Sequence, residues 1–135
     1  MTDPNNVNTV TVATDAPKLP DGVIDLNALT PVSTNGCNVF AHYNGPTDQL
    51  LGVCAGMCVL DPGVSPHPVH QHPEEEFLII ADGTGEIECG GRTTPVGPGA
   101  MMYCAGNTPH GITNTGKVPM TFYWSKWLSK AMPLR

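Results

Sequence analysis

Glycine and proline fill 29 of the 135 positions, and they recur through nearly the whole chain. A proline costs about 3 kcal/mol in a helix interior and a glycine about 1, so long helices have no room to form. Between Gly83 and Gly116 these residues are especially dense. At 40% the hydrophobic content is too high for a disordered chain, and the apolar residues come in short runs divided by turn residues. A chain of this length fits one domain around a single core. This pattern predicts an all-β fold, an antiparallel β-barrel or sandwich with a turn every ten residues or so.

Placing those turns gives the organisation. Residues 1–36 form an N-terminal extension with an edge strand over the alternating residues 7–12, residues 37–128 form the barrel, and residues 129–135 are a tail. Strands are expected over residues 38–43, 50–60, 86–89, 92–94, 100–104, 110–114 and 120–126, with turns at Asn44-Gly45-Pro46, Asp61-Pro62-Gly63 and 95–99. Residues 77–81 are a continuous apolar run, which suits a strand covered on both faces. Gly90-Gly91 reads as a two-residue hairpin loop. In the last strand Phe122 and Trp124 share one face and Tyr123 takes the other.

The net charge of −6 and the placement of the six basic residues narrow the partners. Positions 19–91 contain no Lys or Arg, whereas six of the twelve acids fall between Glu74 and Glu88. Nucleic acid and highly phosphorylated substrates are therefore disfavoured, because both are held chiefly by basic side chains. No apolar run approaches the ~20 residues of a membrane span, and the N-terminal residues lack the apolar stretch of a signal peptide. Five cysteines without a C-x-x-C spacing fit a cytoplasmic protein with reduced thiols. Cys54 and Cys58 read as small buried hydrophobes in preference to a soft-metal pair.

Three of the five histidines fall within six residues, in His67-Pro68-Val69-His70-Gln71-His72-Pro73-Glu74-Glu75-Glu76. Residues two apart on an extended strand project to one face, so His70 and His72 can present both imidazoles to one point. Glu76, directly before the apolar run, is the carboxylate best placed to join them, while Glu74 and Glu75 are expected in solvent. His110, which follows a Gly106-Asn107-Thr108-Pro109 turn, is the candidate fourth ligand. Such a nitrogen and oxygen set suits one divalent ion of the Fe, Mn, Ni, Co or Zn group.

These residues carry a family resemblance. Gly63, His70-x-His72, Glu76 and Gly83 resemble the first cupin motif, and Pro95-x-Gly97-Pro98-Gly99, Cys104-x-Gly106, His110 and Asn114 resemble the second. Cys104 stands where that pattern usually has proline. The resemblance implies a small cupin barrel, a jelly roll, in which His70, His72, Glu76 and His110 bind the metal, and it implies a homodimer. Four protein ligands leave open positions for a small molecule, which points to an enzyme, most directly a dioxygenase. In it Glu76 would be ligand and proton acceptor, with Tyr103 a further catalytic candidate. A non-redox isomerase, lyase or hydrolase, using Tyr103 or His67 as proton carrier, and a non-catalytic binding module are the alternatives. Tyr43, Tyr103, Tyr123, Thr113 and Asn114 are candidate pocket donors, and His42 is structural.

Overall fold

The short apolar runs fold as nine strands within residues 17–130, the part of the chain that the computed structural model describes. In chain order these are β1 (Val32–Thr34), β2 (Cys37–Gly45), β3 (Leu50–Leu60), β4 (Glu75–Asp82), β5 (Gly85–Cys89), β6 (Arg92–Val96), β7 (Met101–Cys104), β8 (His110–Thr113) and β9 (Met120–Ser129). One sheet has the order β1-β2-β3-β9-β4-β7, the other β6-β5-β8, and all pairs are antiparallel. A single 3-10 turn, Leu26–Ala28, is capped by Asp25, and no described helix is long and apolar enough to cross a membrane. The expected strand over residues 7–12 lies outside the described residues.

The core forms where the inward rows of the two sheets meet. Leu78 and Ile80 of β4, Met102 and Cys104 of β7, and Phe122 and Trp124 of β9 pack in one cluster with Ile87 and Ile112 of the smaller sheet. Burying such rows supplies about 25 cal/mol for each Å² of apolar surface. Gly90 and Gly91 both have positive φ, +60° and +81°, as a two-residue hairpin loop between Cys89 and Arg92 requires.

Several boundaries differ from the sequence reading. The sheet begins at β1, whose hairpin with β2 turns through Asn35 and Gly36 and so crosses residue 36. Asn44 and Gly45 continue β2 opposite Cys54 and Val53, and do not form a turn. Pro95 lies inside β6, which tolerates it because β6 is an edge strand with one side unpaired. The apolar run of β4 is covered on only one face. Leu78 and Ile80 are buried, but Phe77 and Ile79 stand on the outer face, which no second layer of described residues covers. There Phe77 packs on Tyr103 and Trp127, with ring centroids 5.5 and 5.6 Å apart.

Candidate metal centre

Pro66, Pro68 and Pro73 keep the segment between β3 and β4 from pairing as a regular strand. It is pinned instead by one antiparallel bridge, in which His70 N–H donates to the His110 carbonyl at 3.0 Å and His110 N–H donates to that of His70 at 2.8 Å. A second tie runs from Asn107 N–H to the His72 carbonyl at 2.6 Å. The approach is close enough that a Cβ on Gly106 would lie 2.4 Å from the Pro73 carbonyl oxygen. His70 and His72 therefore converge because their loop is bridged to His110, and not through strand alternation.

The result is a three-histidine cluster. One ring nitrogen from each of His70, His72 and His110 lies within 4.8 Å of the others. Glu76, the first inward residue of β4, brings Oε1 to 3.0 Å from His72 Nε2 and 3.3 Å from His110 Nε2. The other ring nitrogens fix the tautomers. His110 Nδ1 is 2.8 Å from the Thr108 carbonyl and His72 Nδ1 is 3.1 Å from the Glu74 carbonyl, and each of these oxygens can only accept. In a neutral ring each Nε2 then turns a lone pair toward an already negative carboxylate oxygen. His110 Nε2 is buried without a hydrogen-bond partner despite its nearness to Glu76. A cation between these atoms resolves the conflict, and the donor set fits a divalent ion.

Without a metal, protons fill that role. Burial opposes charge at His72, but Glu74 and Glu76 overcome it and raise its pKa to about 9. Burial likewise opposes charge at Glu76, yet His110 and His72 hold the carboxyl down at about 2. His70 is lowered to about 3 by burial and by His67, His110 and His72 around it. With His72 raised from 6.5, the stability it contributes is fully present below that pH and is lost as pH rises through about 9. A divalent ion has to displace this proton. Affinity for Co(II) should therefore rise about tenfold per pH unit from pH ~7 to ~8, with about one proton released. Calorimetry in two buffers of different ionisation enthalpy measures the release, and a pH-independent affinity would contradict it.

The surrounding residues correct several expectations. Glu74 is buried, not solvated, and its Oε2 lies 3.1 Å from His72 Nδ1. Tyr103 projects from the outer face of β7, half exposed, and its hydroxyl donates to Glu75 Oε1 at 2.6 Å. Strand alternation puts it on the opposite side of the sheet from Glu76, which removes it as a catalytic candidate. Tyr123 is also on the outer face, Tyr43 donates to the Gly22 carbonyl, and Thr113 bonds Ser65. Asn114 is a buried tie that donates to the Leu60 and Val118 carbonyls at 3.0 and 2.9 Å. His42 sits at the bulge in β2. Cys58 faces Cys37 with the sulfurs 3.5 Å apart, while Cys54 lies beside Lys126, so Cys54 and Cys58 form no shared site.

Four residues near the centre escaped their full reading. His67 stacks on His70 with centroids 3.6 Å apart and lines the small cavity in front of Glu76 and His110. Trp124 forms another wall of that cavity. Cys104, where the family pattern usually has proline, places its sulfur 3.3 Å from His110 Nδ1. Lys126 is buried on β9 opposite Glu76.

Comparison with known proteins agrees with this architecture. No curated protein matches the sequence. Among solved structures, a predicted oxalate decarboxylase from Thermotoga maritima aligns over 79% of this chain and 99% of its own, with a TM-score of 0.69 and 20% identity. An RmlC-like cupin from Shewanella frigidimarina aligns over 83% and 95%, with a TM-score of 0.69 and 11% identity. A Cupin 2 conserved barrel domain protein from Salinispora arenicola aligns over 84% and 93%, with a TM-score of 0.64 and 23% identity. At these identities the likeness is one of fold. The cupin domain family model matches residues 56–126, from the middle of β3 to Lys126, and since that is more than half of the sequence, the chain belongs to the cupin family.

Proposed function

We propose that this cupin holds one divalent ion through His70, His72, His110 and Glu76, and that it acts on a small molecule which chelates the ion through its own oxygen atoms. The reaction class we infer is dioxygenation, with iron as the ion. The observation that supports the reading is the convergence of two Nε2 atoms on one carboxylate oxygen, at 3.0 and 3.3 Å, at a buried point. A bound ion of this class supplies Lewis acidity and, when it is iron, a binding place for dioxygen.

The chain's own residues define what can reach that point. Leu78, Met102, Phe122 and Trp124 wall the inner side of the cavity and exclude water, and His67 stands beside Pro66 at its edge. His67 Nδ1 lies 2.8 Å from the Pro68 carbonyl, so its Nδ1 carries the hydrogen and its Nε2 is left to accept one. Glu76, held ionised by its imidazole neighbours, is the base nearest the centre. Among the described residues no arginine or second lysine joins Lys126 inside the barrel, which favours a small oxyacid, enol or phenol over a phosphorylated substrate.

An oxygen electrode tests this. Protein loaded with Fe(II) and supplied with small oxyacids and 1,3-diketones should consume dioxygen in step with substrate loss, and the His72→Ala variant should not. Turnover that continues undiminished without oxygen would contradict dioxygenation.

A further inference from the structure

Lys126 is the most buried charged side chain among the described residues, at 2% exposure. Its backbone pairs with Cys54 on one side and with Glu76 on the other, and Glu76 pairs in turn with Cys104. A single inward row thus crosses four strands, and it puts the Lys126 and Glu76 side chains on the same face of neighbouring strands. Yet Lys126 makes no ion pair or hydrogen bond with a described residue. Burial works against its charge, and Glu76, Cys54 and Glu74 are the groups that act on it across space. One inward position earlier on β9, Trp124 Nε1 is buried with no acceptor, near the Cys54 thiol. The Trp124 ring also walls the cavity in front of Glu76 and His110.

Charge balance gives these two donors a meaning. When three neutral imidazoles hold a divalent ion, Glu74 and Glu76 cancel its charge, and Lys126 leaves one positive charge over. Uncompensated buried charge is strongly unfavourable, so the loaded centre calls for one more negative charge. The buried Trp124 indole N–H, which has no oxygen or nitrogen acceptor, is an independent sign of the same missing partner.

Resting on the metal-centre reading above, we propose that Lys126 and the Trp124 indole N–H anchor a monoanionic carboxylate of the molecule that binds at the centre. Lys126 sets the preference for a single negative charge. Substrates would then be small monocarboxylates with a second oxygen to offer the metal, such as 2-hydroxy or 2-oxo acids.

Cobalt-loaded protein provides a readout separate from turnover, because a guest that enters the coordination sphere changes the visible spectrum. The probes are glycolate and its neutral counterpart glycolamide. The wild type should bind glycolate at least about tenfold more tightly than glycolamide. Lys126→Met should lose roughly tenfold or more for glycolate, keep its glycolamide affinity, and hold Co(II) as well as or better than the wild type, since a cation near the ion has been removed. Trp124→Phe, which keeps the ring and removes the N–H, should weaken glycolate several-fold and carries the test if the methionine variant does not fold. Glycolate affinity unchanged in both variants overturns the proposal, as does loss of Co(II) affinity in Lys126→Met, which would make Lys126 a support of the ligand set. A wild type that takes up cobalt but does not prefer glycolate sinks the anchor alone, whereas one that takes up no cobalt contradicts the metal reading itself.

Discussion

Alanine at His110 should lower the affinity for a divalent ion by more than about 100-fold while leaving the fold intact. Outer partners of metal ligands are worth about 10- to 100-fold in affinity, and a ligand itself exceeds them. In the proposed centre His110 does more than offer one ligand of several. Its backbone forms both hydrogen bonds of the bridge to His70, and its ring is set by the Thr108 carbonyl and the Cys104 thiol. Alanine keeps the bridge, which is main chain, so His70 and His72 stay in place and only the Nε2 donor is lost. Glu76→Ala should behave similarly, because its Oε1 stands between His72 and His110. Glu74→Ala should be milder, about tenfold, because Glu74 touches only the far nitrogen of His72. Circular dichroism and cobalt titration of the variants give the comparison. If Glu74→Ala loses more affinity than Glu76→Ala, the carboxylate has been assigned wrongly.

The largest loss of stability is expected at Gly56. A Cβ there would lie 2.1 Å from the Phe40 carbonyl oxygen and 2.6 Å from the Trp124 ring. Gly56 pairs with Ala41 in β2 and with Trp124 in β9, so it sits mid-sheet with a strand on either side. The carbonyl belongs to a backbone fixed by the β2 and β3 ladder and cannot rotate away as a side chain would. Even one methyl group should therefore part the strands. Gly56→Ala should destabilise by about 3 kcal/mol, at the upper end of ordinary overpacking. For a domain of this size that lowers the midpoint of thermal unfolding by about 10 °C. Gly63→Ala makes a useful contrast: an added Cβ meets nothing within 4 Å there, so the effect reflects only the positive φ of +81°. Equal unfolding midpoints for Gly56→Ala and the wild type would refute the close packing of β3 on β9.

Much of this was legible because turn residues and alternation are local signals. Leu50–Leu60 is a strand with the bounds the sequence predicts, and Gly90-Gly91 is the hairpin loop that two adjacent glycines between strands imply. The histidine cluster was legible in membership but not in mechanism. His70 and His72 meet through a bridge to β8, and a bridge between residues forty apart in sequence leaves no local trace. Glu74 illustrates the same limit: three consecutive glutamates look like solvated charge, yet the turn after Pro73 folds the first of them back against His72. Tyr103 was assigned to the pocket by its place in the motif region. The parity of β7 sends it outward, because Met102 and Cys104 take the inward positions.

Lys126 shows what composition conceals. In the sequence Lys126 is only the last residue of an expected strand, and only the pairing of β9 with β4 puts it opposite Glu76. The apolar run of β4 misled in the other direction. Phe77 and Ile79 are as hydrophobic as their inward neighbours, but they stand on the outer face, where Phe77 packs on Tyr103 and Trp127. Hydrophobicity alone does not say which face of a strand is covered.

The central claim is that four side chains on three segments, His70 and His72 from one loop, Glu76 from β4 and His110 from β8, enclose one divalent ion. Titrating Co(II) into metal-free protein while following the visible spectrum tests it most directly. Saturation is expected at one equivalent, with a spectrum of nitrogen and oxygen ligation that is lost in His110→Ala. Saturation without change of spectrum in that variant, or no uptake by the wild type, would contradict it.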